Sequence, residues 1–249
     1  MISVKNKDQI KLMREAGRIT GEALALAGES VKPGMTTKQL DTIIRQHIEK
    51  CGAKPSFLGY GGFPGSACIS INDEVIHGIP SSRVIEDGDI VKVDVGAFYK
   101  GFHGDSANTF AVGNVSDEAK RLIEVTKESF WRGIAQAKPG NRIGDIGYAI
   151  ESYVEENGFS VVRKYVGHGI GADLHESPDV PNFGTAGRGV RLCSGMTIAV
   201  EPMINIGTHE VAEKDDKWTV VTADGSLSAH YEHTIAITDD GVIVLTKID

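Results

Sequence analysis

The chain has 249 residues, 41% hydrophobic and 24% charged, with a formal net charge of −8. That length supports a sizeable core, as one large domain or two small ones, and the acidic balance argues against a dedicated nucleic-acid binder, which is usually basic. Three cysteines without a C-x-x-C pair argue against a disulfide framework and a thiolate zinc site; the start MISVKNKDQI carries no apolar signal segment, and no run approaches the roughly 20 apolar residues of a membrane span, so the expectation is a cytoplasmic chain with no membrane association.

The first predicted helix opens at Asn6, with Gln9 as its capping-box partner and Ile10, Met13, Ala16, Ile19, Ala23 and Ala27 at helical spacing. KPG at 32–34 breaks the chain, and a second helix is predicted from about Thr36 to near Gly52, with Leu40, Ile43, Ile44, His47 and Ile48 facing inward. Residues 53–66, AKPSFLGYGGFPGS, form a Gly/Pro-rich loop that also holds aromatics. ACISI and the run 90–112 read as strands, 117–137 and 142–156 as helices, and strands dominate afterwards, with ADGS at 223–226 as a hairpin turn.

The chain also repeats itself. VKPGMTTKQLDTIIRQHIEKCG at 31–52 aligns without gaps on AKPGNRIGDIGYAIESYVEENG at 137–158, matching Lys32 to Lys138, Pro33 to Pro139, Gly34 to Gly140, Ile44 to Ile150, Glu49 to Glu155 and Gly52 to Gly158. A break followed by an amphipathic helix is common enough to recur by chance. The alternative is two related halves, approximately 1–115 and 116–249, facing each other within a single catalytic domain and sharing one site.

Asp94 stands in the apolar run of Ile90, Val91, Val93 and Val95, and Asp105 follows on the next strand. With Lys100–Gly101 as a two-residue turn, Gly96 faces Asp105 and Asp94 faces Ala107, which places both aspartates on one face; a three-residue turn would separate them unless a bulge intervened. Glu201 in MTIAVEPMI and Glu232 in HYEHTIAIT have similar settings, with no Lys or Arg close by. Each acid alone reads as a solvent-facing strand residue. Together they read as a buried cluster, which is untenable without cations. His168, flanked by Gly167, Gly169 and Gly171, adds an imidazole; oxygen-rich ligation with one imidazole suits two divalent first-row ions.

VDVGAFYKGFHGDSANTF, GHGIGADLHE, AVEP and YEHT resemble, in order and spacing, the motifs of the methionine aminopeptidases of metallopeptidase family M24, over essentially the whole chain. The resemblance implies the α+β pita-bread fold: two pseudo-symmetric halves, with antiparallel sheet and helices packed on its outer face. The short interval from His168 to Glu201 leaves no room for the helical insertion of type 2 enzymes, and the chain lacks the N-terminal zinc-binding extension of some eukaryotic relatives; it resembles the short bacterial type 1 form.

By that resemblance Asp94 holds one metal, His168 and Glu201 help hold the other, and Asp105 and Glu232 bridge them, with Thr234 or Thr109 in support. The ions are Fe2+, Mn2+, Co2+ or Zn2+. Glu201 moves the water proton, His175 contacts the scissile carbonyl, and His77 lies near the scissile nitrogen. The methionine pocket draws on Tyr60, Phe63, Cys68 and Trp218, with Phe57 nearby, and Leu174 replaces an aromatic of many relatives at its rim. The implied substrates are nascent polypeptide N-termini with a small second residue, met by a monomer in transient association with the ribosome. Because Ile2 is large, Met1 is expected to be retained, which an intact-mass measurement checks.

Proline-directed aminopeptidases and dipeptidases share this ligand set but usually carry a further N-terminal domain. A non-catalytic binding relative would typically lose ligands, and all five are present here. A purely structural metal site would rarely need two ions and an open position.

Overall fold

The computed structural model describes residues 2–248, so Met1 lies outside the described residues. Helices α1 (Lys7–Ser30) and α2 (Thr37–Lys50) are followed by β1 (Lys54–Pro55), β2 (Ala67–Ile71), β3 (Glu74–Ile76) and the long pair β4 (Ile90–Tyr99) and β5 (Phe102–Ala111). Then come α3 (Asp117–Ile134), α4 (Ile143–Glu156), β6 (Ser160–Val161), β7 (Gly167–Gly169), β8 (Glu176–Val180), β9 (Thr197–Val200) and β10 (Met203–Asn205). The last strands are β11 (Val211–Glu213), β12 (Val220–Thr222), β13 (Ser228–His230), β14 (Glu232–Thr238) and β15 (Gly241–Val244).

The helix starts follow from their caps. The Asn6 side chain accepts from the N–H of Asp8 and Gln9, and the Gln9 carbonyl oxygen accepts from Asn6 N–H. Thr36 and Gln39 repeat the arrangement at α2. Met13, Ala16, Ile19, Ala23 and Ala27 are buried along α1, and Leu40, Ile44 and Ile48 along α2. Ile10, Ile43 and His47 are only half-buried, at the margin of each apolar stripe. α3 stops at Ile134, short of the expected 137, and residues up to Ala137 continue as tighter turns ahead of Pro139.

A nine-stranded antiparallel sheet runs β1-β4-β5-β14-β9-β7-β8, with β2 beside β4 and β15 beside β14. The β4–β5 turn has positive φ at both central residues, 49° at Lys100 and 88° at Gly101, as a two-residue hairpin requires. Gly96 therefore pairs with Asp105 and Asp94 with Ala107. Glu232 pairs with Ala107 from the other side, and His168 pairs with Ala199, two residues before Glu201. The ADGS turn makes no hairpin. β12 and β13 lie in separate three-stranded sheets, because Asp224 uses its carboxylate on the N–H groups of Thr208 and Ser226 and directs the chain out of one sheet into the other.

The repeated segments adopt the same local structure. Gly34 and Gly140 have φ of 86° and 97°, α2 and α4 each span 14 residues, and Gly52 and Gly158 end them at 74° and 78°. The residues before the helices, Thr36 and Arg142, each make an isolated antiparallel bridge, to Val84 and Arg191. Of the two largest hydrophobic clusters, one draws on Ile19 to Val112 and the other on Val115 to Ile237 with Ile90.

α1 lies directly on the β4–β5 hairpin. A Cβ on Gly104 would come within 2.8 Å of the Gly17 Cα, and Thr20 Oγ1 donates to the Gly104 carbonyl at 3.1 Å. Glycine on both elements permits this approach, which anchors the strand one residue before Asp105. No helix among the described residues is long and apolar enough to cross a membrane.

Candidate active site

The sheet brings Asp94, Asp105, His168, Glu201 and Glu232 to one cavity of roughly 170 Å³, together with His77 and His175 and with Phe57, Tyr60, Phe63, Cys68, Leu174 and Trp218. Asp105, His168 and Glu232 are buried and offer ligand atoms within 4.8 Å of one another. Asp94 and Glu201 are slightly more open. No lysine or arginine is among the lining residues.

Burial, and then neighbouring negative charge, pushes the Asp94, Glu201 and Glu232 carboxyls well above the usual carboxylate range. Asp105, within hydrogen-bonding reach of Asp94, is pushed up to about 7, chiefly by burial. Asp94 Oδ1, Asp105 Oδ1 and Glu232 Oε1 are buried without a hydrogen-bond partner. The His168 ring is held by Nδ1–H donating to the Gly169 carbonyl at 2.8 Å, which leaves the Nε2 lone pair aimed at the carboxylates. Nε2 lies 3.6 Å from Glu201 Oε1 and 3.8 Å from Asp105 Oδ2. Burial, then the nearby His175, lowers the His168 pKa to about 4, so the neutral ring presents a lone pair and not a proton to this face. Orphaned oxygens and a ring nitrogen converging on one space fit divalent cations, and the donor set of carboxylates plus one imidazole suits first-row ions.

The supporting residues divide their work. Thr234 Oγ1 accepts from Asp105 N–H at 3.0 Å and donates to its carbonyl at 2.9 Å, fixing that peptide from the neighbouring strand. Thr109 does the same for His230, at 2.9 and 2.8 Å, rather than for a carboxylate. His230 is the residue that sequence reasoning missed. Its buried Nε2 has no hydrogen-bond partner and stands 3.8 Å from Glu201 Oε2 and 3.9 Å from Glu232 Oε2. Its spacing of two from Glu232 was the available signal, since alternate residues of an extended chain share a side.

His175 and Tyr60 share a 2.7 Å hydrogen bond at the cavity mouth, and the His175 ring centroid is 4.2 Å from that of His168. His77 takes a left-handed backbone, φ 60°, and presents its ring edge-on to Trp218. Burial, then His175, lowers its pKa to about 4. Phe63 packs edge-to-face on Trp218 at 5.1 Å. Cys68 is paired with Asp94 across β2 and β4; burial and that acid push its thiol well up, so it stays protonated and serves as wall. Leu174, 2% exposed, packs with Phe57, Phe63 and Cys68.

A family model, Metallopeptidase family M24, matches residues 11–239. The chain is 56% identical over 248 residues to the methionine aminopeptidase of Clostridium perfringens, covering 100% of both chains, and 52% identical to methionine aminopeptidase 1 of Bacillus subtilis, again covering 100% of both. It is also similar to the crystal structure of methionine aminopeptidase from Thermotoga maritima, with a TM-score of 0.98 and 46% identity over 100% of each chain. The chain therefore belongs to metallopeptidase family M24 and, within it, to the methionine aminopeptidases. Its fold is the pita-bread fold of that family.

Proposed function

We propose that this enzyme is a two-metal aminopeptidase that removes the N-terminal methionine from nascent chains whose second residue is small. The observation that carries the reading is the meeting, in one cavity, of the His168 Nε2 lone pair with buried, unpartnered carboxylate oxygens beside a wall of Phe63, Cys68 and Trp218.

Asp94, Asp105, His168, Glu201 and Glu232 are the residues that would hold the two ions. When bound, Fe2+, Mn2+, Co2+ or Zn2+ would supply Lewis acidity toward the scissile carbonyl and a nucleophilic water near neutral pH. Glu201, whose proton affinity burial raises, acts as the carboxylate to take the proton of the attacking water and delivers it to the leaving amine. With Tyr60 donating to Nδ1, His175 keeps its proton on Nε2 and offers it to the carbonyl. His77, neutral at physiological pH, receives the scissile N–H side of the substrate. Tyr60, Phe63, Cys68 and Trp218 take the methionine side chain, whose flexible thioether suits an aromatic wall.

In this reading the chain is one catalytic domain of two related halves, working as a cytoplasmic monomer close to the ribosome where its substrates emerge. The parallel geometry of the segments at 31–52 and 137–158 supports the pairing of halves. The test is to reload metal-free enzyme anaerobically with Fe2+, Mn2+ or Co2+ and offer Met-Ala, Met-Lys, Leu-Ala and Ala-Pro peptides together, with mass-spectrometric detection. Release of methionine from Met-Ala alone is expected. Cleavage of Ala-Pro would transfer the enzyme to the proline-directed branch, and inertness with every metal would overturn the catalytic reading.

A further inference from the structure

A second group of metal-ligating side chains lies away from the cavity, between α1 and α2. Glu22 on α1 faces His47 on α2 and Cys51 at its C-terminal end, and all three are half-buried. Glu22 Oε2 is 3.7 Å from His47 Nε2, and Cys51 Sγ is 3.7 Å from the same nitrogen. One ligand atom from each residue falls within 4.8 Å of the others.

The shared nitrogen distinguishes two chemistries. A nucleophilic relay needs the acid on one ring nitrogen of the histidine and the thiol on the other. Here thiol and acid converge on Nε2, which is the arrangement of ligands around a common centre. Tetrahedral zinc with bonds of about 2.0–2.3 Å sets its ligands about 3.3–3.6 Å apart. The two 3.7 Å separations to His47 Nε2 need only slight contraction. His47 and Cys51 are spaced i, i+4 on one helical face, the spacing by which a helix presents two ligands to one ion. The other oxygen of Glu22, Oε1, accepts from Arg18, which fixes the carboxylate with Oε2 turned inward. On metal binding the thiolate and carboxylate supply two negative charges against the one of Arg18.

We infer that Glu22, His47 and Cys51 form a further, mononuclear site for a thiophilic divalent ion, zinc above all. Its mixed sulfur, nitrogen and oxygen donors separate it chemically from the carboxylate-rich cavity. The site staples α1 to α2 on the face of the hairpin opposite Asp94 and Asp105.

Cobalt and zinc are the probes. Titrating the full-length, metal-free chain anaerobically with Co2+ is expected to produce a near-ultraviolet thiolate-to-cobalt charge-transfer band. Cys51→Ser should abolish the band and lower bound zinc by one equivalent per chain, while leaving methionine release unchanged. Asp105→Ala should keep the band. His47→Gln should weaken zinc by more than the roughly 10–100-fold that loss of an outer-shell partner costs. A wild-type chain with no thiolate band would overturn the inference. So would a band that survives Cys51→Ser but disappears in Cys68→Ser, since that would place the cobalt in the catalytic cavity.

Discussion

His168 Nε2 and Glu201 Oε1 lie 3.6 Å apart without a hydrogen bond between them, the proton of the neutral ring being committed from Nδ1 to the Gly169 carbonyl. Beside this lone pair, buried oxygens of Asp94, Asp105 and Glu232 have no hydrogen-bond partner, and a cation would supply one. Metal binding should therefore stabilise the fold. At a free concentration about 1,000 times Kd the gain is about 4 kcal/mol, which for a chain of this size raises Tm by on the order of 10 °C. Thermal denaturation with and without Co2+ measures it, and His168→Ala should lose most of the shift.

Asp105→Ala should abolish methionine release and most metal uptake while leaving the fold intact, because the side chain points into the cavity and Thr234 still holds the peptide. Metal content by mass spectrometry, circular dichroism and turnover separate these effects. Near-normal turnover would remove Asp105 from the ligand set.

Thr234→Val tests that support. It leaves the buried Asp105 N–H without its partner and should cost about 1–3 kcal/mol in denaturant unfolding. Metal affinity should fall about 10–100-fold, since outer-shell partners orient the ligands they hold.

Gly104→Ala probes the packing behind the site. Its Cβ would press on the Gly17 backbone at 2.8 Å, and neither the helix nor the strand can retreat without losing the other contacts between them. A loss of about 1–3 kcal/mol is expected from overpacking, read from denaturant midpoints.

Asp224 predicts a pH dependence. Hydrogen bonds from Ser226 and Thr208 lower its pKa to about 2. A depressed carboxylate stabilises the fold fully above its unfolded value of about 3.9 and loses that contribution as pH falls through the folded value. The Asp224→Asn variant should thus be less stable than wild type at neutral pH, with the difference shrinking from about pH 4 toward pH 2. The group is exposed, so the neutral-pH difference should stay below about 1 kcal/mol. Equilibrium unfolding at several pH values checks the trend.

The local elements, and the acids and histidine that the fold brings to one cavity, were legible without coordinates because their signals are short-range. Asn6 with Gln9, Thr36 with Gln39, and the stripe from Met13 to Ala27 each encode a helix within a few residues. Acids in apolar strands, and a histidine among glycines, stand out because burying them needs a reason. Other relations depended on which strands pair, and no local pattern encodes that. ADGS is a turn in either case, but only the assembled sheets show that it joins different ones. His230 becomes part of the cavity surroundings only once β13 and β14 set it against Glu201, which lies between β9 and β10, well away in sequence.

Lys92 makes the same point. Its position in an apolar strand gives no hint that its fully buried ammonium donates to the carbonyls of Asn72 and Ser228, joining two distant stretches of chain. Glu22, on one helix, meets His47 and Cys51 of another only through the crossing of α1 and α2. Residue chemistry and local periodicity determine what each segment can do. Long-range packing decides which of those capacities meet, because their distances are set by neighbours that the chain reaches only after it has folded.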